Sequence, residues 1–403
     1  MTKPLMPLAD ALQYVLAAVK PTQTVLEIPL SDALGSVLAQ TMRANIDVPA
    51  YDNSAMDGYA LKVSDVDSVG TRLPMSQTIA AGHPGQTLAA GSIARIFTGA
   101  PIPVGANAVV MQENTVTDGS NIVINELPQA GQNIRRKGHD IASGTDVLQA
   151  GHRLQAQDLG LLASLGIGTI SIYKPLTVAI LNTGDEVIAP GTPLQAGQLY
   201  DSNSYTLAGL LSKLGVKVIK LGIVEDNLAS TEAALQQAAT QADCIISTGG
   251  VSVGDEDHVK QALENLGQLS LWKLAIKPGK PFSFGHVGNT PFFGLPGNPV
   301  AVFITFVMLV RPFLLRMQGA TNTDVPSFSV KAGFNVIESG TRQEFLRVRL
   351  VRKNNELEVE AFADQGSSIL TSLSWADGIA IIPVHTTINA GESVEYLPFS
   401  GLL

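Results

Sequence analysis

The chain opens with apolar residues at helical spacing. This stripe predicts an amphipathic helix that ends near Pro21, and its members are Leu8, Leu12, Val15, Leu16 and Val19. From residue 45 to residue 137 the pattern changes to short apolar runs between Gly, Pro and Asn turns, for example at 94–97, 108–111 and 121–124. No helical stripe interrupts these runs, so this part is predicted to be a β-rich module.

Helical spacing returns between about residues 140 and 173, where Leu154, Leu161 and Leu165 suit a short helix. This stretch is expected to pack with the N-terminal helix. The prediction is therefore a discontinuous linker domain of residues 1–44 and 138–175, into which the β-rich module of residues 45–137 is inserted.

Strands and helices alternate from residue 176 onward. The predicted strands are 177–181, 216–221, 243–247, 271–276 and 292–295, and the predicted helices are 204–214, 230–241, 257–266 and 300–317. Such alternation predicts an α/β domain, residues 176–322, with a parallel-rich sheet covered on both faces. Alternating strands then predict a C-terminal β-barrel domain at 323–403, so the fold class is multi-domain α/β plus β.

Composition narrows the functional class. A net charge of -9 argues against a general nucleic-acid or membrane-surface binder, because both are polyanions. The only cysteine, Cys244, is interpreted as a small buried hydrophobe, and a single cysteine fits a reducing cytoplasm. The most apolar helical run, residues 300–310, stops at Arg311 and is too short to cross a bilayer. A soluble, cytoplasmic protein is expected.

Unusual residues follow the strands of the predicted α/β domain, in the loops at 182–186, 248–257, 277–281 and 294–299. Ligands bind at the carboxyl ends of such strands. Glycines there let backbone N–H groups approach an anion, and the helix N-terminus after Pro299 adds partial positive charge. Lys277 and Lys280 supply two cations for phosphate or another oxyanion. Each loop alone is more often an ordinary turn, but four loops on one sheet favour a ligand site.

Carboxylates on other loops predict a divalent metal. Asp226 and Asp257, with Glu186 as a further candidate, suit Mg²⁺ held between carboxylates and phosphate oxygens. The sequence has no P-loop, because Gly279-Lys280 is followed by Pro281, and no G-x-G-x-x-G after a strand. Six histidines without ligand spacing and one cysteine argue against zinc.

The motifs together resemble the molybdopterin molybdenumtransferase family of molybdenum-cofactor assembly, which includes the E domain of gephyrin. The matching segments occur in the family's order at residues 51–60, 96–100, 183–186, 249–257, 276–281 and 294–299. The resemblance implies the same four-part architecture, with a molybdopterin-binding α/β domain. It also implies that adenylylated molybdopterin and molybdate give molybdenum cofactor and AMP with Mg²⁺, in a homodimer whose active site is shared between subunits.

Residue roles follow from the resemblance. Asp226 and Asp257 would hold Mg²⁺, while the oxyanion and substrate ligands would be Ser252, Lys277, Lys280, Asn298, Arg347 and Ser367. Arg349 and Ser368 are alternatives to the last two. The catalytic set implied by the family is Asp57, Thr98, Asp140, Glu186, Lys273 and Lys277, of which the first three would reach the neighbouring subunit's site.

Several alternatives stay open at this point. Asp57 could simply cap its own turn, Lys273 could be an exposed strand position, and Asn298 could be only a helix N-terminal residue. At the level of function, the adenylylation of molybdopterin that precedes metal insertion uses the same α/β domain. A non-catalytic scaffold on this fold is the other alternative.

Overall fold

The computed structural model describes residues 4–249, 258–353 and 355–402. The N-terminal segment contains helix α1 (Leu8–Ala17) and strands β1 (Val25–Pro29) and β2 (Met42–Arg43). The inserted module contains β3 (Asn53–Ser54), β4 (Gly58–Leu61), β5 (Arg72–Ile79), β6 (Ile93–Ile96), β7 (Ala108–Met111), β8 (Thr115–Asp118), β9 (Asn121–Ile124) and β10 (Ile134–Arg135). Six of these strands form one sheet in the order β7-β4-β6-β5-β9-β8.

The chain returns to the N-terminal segment after this module. Strand β11 (Asp146–Leu148) pairs with β2, and β12 (Thr169–Tyr173) pairs with β1 along its whole length; helix α2 (Ala156–Ser164) lies between them. Helix α2 begins with a capping box in which Gln155 and Asp158 bond each other's backbone N–H groups. The residue ranges assigned to the four units from sequence stay a prediction.

The central part of the chain forms a six-stranded sheet. Its elements are β13 (Thr177–Thr183), β14 (Val187–Ile188), β15 (Leu199–Tyr200), α3 (Asn203–Lys213), β16 (Lys217–Val224), α4 (Leu228–Gln241), β17 (Cys244–Thr248), α5 (His258–Leu266), β18 (Gly267–Lys273), β19 (Ile276–Lys277), β20 (Pro281–Val287), β21 (Thr290–Leu295), α6 (Pro299–Thr305) and α7 (Arg311–Met317). The sheet order is β16-β13-β17-β21-β20-β18. Apolar side chains of α3, α6 and α7 pack on one face and those of α4 and α5 on the other, which confirms the predicted α/β domain.

Strand β20 was missed in the sequence, and it changes the topology. It runs antiparallel to both β21 and β18, so β18 points in the same direction as the parallel strands β16, β13, β17 and β21. The carboxyl ends of these five strands therefore lie along one edge of the sheet.

The helix after Pro299 reaches Met317 as predicted, and it passes through a π-helical turn at Phe306–Val310. Its apolar character continues past Arg311, so the expectation that the apolar run is too short to cross a bilayer was wrong. This span of 19 residues is apolar enough to cross a membrane, with a mean hydropathy of 2.0, and 83% of it is buried inside the protein. Arg311 is tolerated there because its guanidinium donates to the carbonyl groups of Leu402 and Thr323. The span is a core helix.

The C-terminal region closes into a barrel. Its elements are β22 (Phe328–Ala332), β23 (Gln343–Lys353), β24 (Glu356–Ala361), α8 (Leu370–Trp375), β25 (Gly378–Ile382), β26 (Ser393–Pro398) and α9 (Phe399–Leu402). The order β23-β24-β22-β26-β25 closes through pairing of β25 with β23, which confirms the predicted barrel. Strand β19 also pairs with β23, so the barrel is joined to the central domain beside the sheet edge.

Candidate active site

A cavity of about 400 Å³ lies at the carboxyl edge of the central sheet. The ends of β13 and β17 form its floor through Asn182, Thr183 and Thr248. The Thr248 hydroxyl donates to the Asn182 carboxamide oxygen at 2.6 Å, and both residues are buried. A buried polar pair of this kind holds the floor in one arrangement and leaves it polar.

A glycine lets the two floor loops approach each other. Gly249 has φ +82°, and a Cβ atom there would lie 2.8 Å from the carbonyl oxygen of Thr183. Any other residue would strain the backbone and push the loops apart. Gly249 is therefore required where β17 passes into the loop that follows.

Two helix N-termini also reach the cavity. Asn298 stands before the first turn of α6 and lines the cavity, and within the described part of the chain its side chain makes no capping hydrogen bond. At the start of α3, Asp201 is buried and accepts hydrogen bonds from the backbone N–H and hydroxyl of Ser204. Asn203 donates to the carbonyl of Gly297 at 2.8 Å and so ties the two helix starts together. Converging N-termini favour an anionic ligand.

Glu186 lies in the wall of the cavity. It follows Gly184, whose φ is +132°, and a Cβ atom on that glycine would lie 2.8 Å from a Glu186 carboxylate oxygen. The carboxylate therefore folds back over Gly184 toward the strand end.

The acidic end of the sheet edge lies beyond β16. Asp226 is exposed there, directly before Asn227, which caps α4 by accepting from the N–H of Ser230 at 2.8 Å. Asn227 and Ser230 also donate to the carboxylate of Glu225, at 3.2 and 3.4 Å. Of the residues that the structure describes, no three His, Cys, Asp or Glu side chains form a metal-binding group. Asp257 and Ser252 lie outside the described residues, so the magnesium pair stays a prediction.

The three predicted lysines lie at the opposite end of the same edge. Lys273 ends β18, opposite Pro281, and the exposed Lys280 precedes β20. The Lys277 ammonium lies 3.1 Å from a carboxylate oxygen of Glu344 on the barrel. Strands β16 and β18 are five positions apart in the sheet, so the acidic and basic ends are about 24 Å apart at the usual strand spacing. The cavity lies between them.

Arg347 is placed where it cannot reach solvent. It is 0% exposed, and its guanidinium donates to the Ser372 hydroxyl and to the carbonyl groups of Phe345 and Gly366 at 3.0–3.2 Å. Burial lowers the pKa of Arg347 to about 10, which leaves it positively charged at neutral pH. The alternative Arg349 is exposed and donates to the carbonyl of Trp375.

The structure distinguishes the two candidate serines, Ser367 and Ser368. Ser368 lines the cavity, whereas Ser367 contacts the core helix through its carbonyl group, which accepts from the N–H of Val300 at 3.1 Å. The alternative serine is thus the one at the cavity. Arg347 donates to the carbonyl group of Gly366 and so stabilises the segment that contains Ser368.

Asp57 and Thr98 form a contact on the inserted module. The backbone N–H and hydroxyl of Thr98 donate to one Asp57 oxygen at 2.7 and 2.9 Å. These bonds, with a smaller effect from Arg95, hold the pKa of the Asp57 carboxyl below its usual value. Asp57 therefore joins two distant turns instead of capping its own. Asp140 is exposed in the linker region, and none of these three side chains lines the cavity as far as the structure is described.

Three family models match successive parts of the chain. They are the MoeA N-terminal region (domain I and II) at residues 6–166, the probable molybdopterin binding domain at 179–316, and the MoeA C-terminal region (domain IV) at 329–399. The Haemophilus influenzae protein named molybdopterin molybdenumtransferase is 42% identical over 388 residues, covering 95% of this chain and 96% of the relative. The chain belongs to the molybdopterin molybdenumtransferase (MoeA) family.

Other members agree with this placement in the MoeA family. A Nostoc protein with the same name is 35% identical and covers 92% of this chain and 88% of its own length. The solved structure of the molybdopterin biosynthesis MoeA protein from Pyrococcus horikoshii OT3 matches with TM-score 0.84 and 28% identity, over 98% of this chain and 100% of that chain. A second Pyrococcus MoeA structure matches with TM-score 0.78 and 30% identity, over 98% and 99% of the two chains. The chain is thus an enzyme of the MoeA fold.

Sequence reasoning missed Asp201 and Asn203, which both line this MoeA cavity. Asn182 and Thr248 also line it; they open two of the predicted ligand loops but were given no role of their own. Two signals were present in the sequence. Polar residues end otherwise apolar strands at Asn182 and Thr248, and the run Asp201-Ser202-Asn203-Ser204 is a typical helix start.

Proposed function

We propose that this enzyme of molybdenum-cofactor biosynthesis inserts molybdate into adenylylated molybdopterin and releases AMP. The observation that carries the proposal is the position of the cavity. It joins two helix N-termini on a polar floor, and it lies between the carboxylate and lysine ends of one sheet edge. This arrangement suits a ligand that carries phosphate and must meet a second oxyanion.

Charge explains why both ends are needed. Adenylylated molybdopterin contains a phosphoanhydride and molybdate is a dianion, so bringing them together is repulsive. Lys277 and Lys280 are cations at the basic end, and the N–H groups at the starts of α3 and α6 add positive potential beside the cavity. Fixed donors of this kind stabilise charge without reorganising during reaction, and AMP is the leaving group. No protein nucleophile is required.

The residues at the acidic end fit Mg²⁺ by donor type. Asp226 presents an exposed carboxylate at the end of β16, and hard oxygen donors are those that Mg²⁺ prefers. Asp226 and Asp257 would hold the ion, which supplies charge neutralisation for phosphate oxygens. Glu225 is engaged by Asn227 and Ser230, so it supports the turn and leaves Asp226 as the candidate ligand.

We further propose that the active enzyme is a cytoplasmic homodimer. Asp57, Thr98 and Asp140 are exposed on the inserted and linker regions, apart from the cavity of their own chain. A second copy that presents these residues to the cavity would complete the site with a carboxylate, a hydroxyl and another carboxylate. In a two-fold symmetric dimer, the commonest homo-oligomer, the same contact would be repeated at both cavities.

Replacing Asp257 by Asn tests the proposed chemistry. The variant should fold normally and lose AMP release from adenylylated molybdopterin, because the amide is a poor magnesium ligand. Asp67→Asn, at an exposed position of the inserted module, is the matched control and should keep parental activity. AMP release at the parental rate in Asp257→Asn would show that the metal assignment is wrong. Pterin-dependent ATP consumption by the parent, without AMP release, would favour the preceding adenylylation step.

A further inference from the structure

Residues 184–200 form one wall of the cavity, and we call this segment the flap. It connects β13 with α3 and contains the short parallel pair of β14 and β15. Glu186, Val187, Leu199 and Tyr200 are its members that line the cavity. The flap therefore carries both a predicted catalytic carboxylate and an apolar surface.

Hydrogen bonds within the flap fix its shape. The N–H of Leu199 donates to the carbonyl of Glu186 at 2.8 Å, and the N–H of Asp201 donates to the carbonyl of Ile188 at 2.9 Å. The Tyr200 hydroxyl donates to the carbonyl of Thr192 at 2.8 Å. Because Asp201 is itself buried at the start of α3, these bonds attach the flap to the helix that borders the cavity.

The flap leaves apolar side chains uncovered. None of its residues is buried, and Leu199 and Tyr200, which both line the cavity, are 50% and 41% exposed. Apolar surface in a concave site is stabilised when a ligand removes it from water. The rest of the lining is polar, since the floor contains Thr183 and Thr248 and the start of α6 adds Asn298.

The volume indicates how much of a ligand fits. About 400 Å³ is near the lower end of small-molecule pockets, which span roughly 300–1,000 Å³. The cavity therefore holds one ring system with its phosphate, and the rest of an adenylylated substrate must extend along the sheet edge. An apolar wall beside a polar floor fits a flat heterocycle with a hydrogen-bonding edge.

We infer that Leu199 and Tyr200 clamp the flat face of the pterin ring and so select the substrate. The inference rests on the proposed function. The pterin is favoured over the adenine because the flap and the whole α/β floor of the cavity lie within residues 179–316, which match the molybdopterin binding domain model. Leu199 and Tyr200 are positioning residues, and Glu186 on the same flap is brought to the bound ring by this contact.

The experiment compares Tyr200→Ala, Tyr200→Phe and Leu199→Ser with a control. Tyr205→Ala is the control, because Tyr205 is 56% exposed and stacks on Lys220. Dissociation constants are measured for adenylylated molybdopterin and for AMP alone, with kcat and KM for AMP release and the melting temperature of each variant. Tyr200→Ala and Leu199→Ser should weaken pterin-substrate binding about tenfold, as expected for a lost stacking contact, and raise KM with little change in kcat.

Three further results complete the expected pattern. Tyr200→Phe should bind the pterin substrate within about twofold of the parent, because the ring remains and only the hydrogen bond to Thr192 is lost. Tyr205→Ala should be unchanged, and AMP binding should stay within about twofold in all variants. The melting temperatures should also stay the same, since the flap contributes no buried residue.

The contrary outcomes separate the two proposals. Unchanged substrate binding in both Tyr200→Ala and Leu199→Ser, with an active parent, would overturn the clamp and leave the proposed function standing. A loss of AMP affinity equal to that of the pterin substrate would place the adenine, not the pterin, against the flap. A parent that neither binds adenylylated molybdopterin nor releases AMP from it would remove both proposals together.

Discussion

Arg347 shows how a buried charge can shape a site without touching a ligand. A guanidinium removed from water is costly unless its donors are satisfied. Here Ser372, Phe345 and Gly366 supply three acceptors at 3.0–3.2 Å. Gly366 lies two residues before Ser368, which lines the cavity, so Arg347 stabilises the segment that forms this part of the wall. The family resemblance assigned Arg347 to an oxyanion, and the structure gives it a supporting position.

Arg347→Lys should lower the free energy of unfolding by about 3 kcal/mol, because an ammonium cannot reproduce the fork of donors and leaves buried acceptors unpaired. Urea unfolding followed by circular dichroism measures the change. Arg349→Lys, at the exposed neighbouring arginine, should stay within about 0.5 kcal/mol of the parent. An unchanged unfolding midpoint together with lost AMP release would mean that Arg347 acts on the ligand itself.

At the scale of elements, the loops after β13 and β17 depend on a close approach at one glycine. Gly249→Ala combines an unfavourable positive φ with a contact of 2.8 Å to the Thr183 carbonyl oxygen. We expect a loss of about 2–3 kcal/mol in unfolding free energy and a weaker affinity for the substrate, since the cavity floor shifts. Gly166→Ala is the matched control: its φ is +74° but its surroundings are open, so it should lose only about 1 kcal/mol. Equal losses in the two variants would show that the contact has no effect.

Most helices and strands could be predicted from local sequence patterns, but some features could not. The alternation of apolar runs and helical stripes after residue 176 depends on neighbouring residues, so it can be read directly from the sequence. Strand β20 was missed although its pairing is local: Val287 pairs with Thr290 across Gly288-Asn289, a hairpin turn that was overlooked in the sequence. The apolar run was expected to end at Arg311, because the groups that satisfy this arginine are distant in the sequence. The carbonyl groups that accept from Arg311 belong to Thr323 and Leu402, and the latter lies 91 residues away.

The candidate site was also predictable only in part. Charged and glycine-rich loops were predicted to meet at one sheet edge, because carboxyl ends of parallel strands share an edge. Their order along that edge was not predictable, since it depends on the strand order β16-β13-β17-β21-β20-β18. Nor could motif order show that Arg347 is buried or that Ser368 faces the cavity, because both follow from packing of the barrel against the α/β domain.

For the whole molecule, the distribution of the predicted catalytic residues is the main constraint. Glu186 lines the cavity, whereas Asp57 and Thr98 are bonded to each other on the inserted module. The bonds from Thr98 lower the pKa of the Asp57 carboxyl, so this carboxyl stays ionised at neutral pH. The stability that the contact contributes is fully present above the usual carboxyl pKa of about 4. It is lost only when the pH falls through the lower pKa of the folded state. The Asp57 carboxylate is therefore charged and exposed, so a second subunit can bind against it.

Mixing two inactive variants tests this shared site. Asp57→Asn and Glu186→Gln should each have little activity as homodimers, since every site then lacks one carboxylate. In a heterodimer, one site collects both defects and the other is intact. Random pairing of the two chains makes half of the dimers mixed, so activity should return to about a quarter of the parental value. The measurement is AMP release after co-expression with two different affinity tags, which also allows the heterodimer to be purified.

Asp57→Asn with Thr98→Val is the control pair. It should stay inactive, because both changes affect the residues that one subunit contributes to the site of the other, and no intact site can form. A purified heterodimer of the first pair without activity would show that Asp57 and Glu186 serve a site within one chain, or no common site.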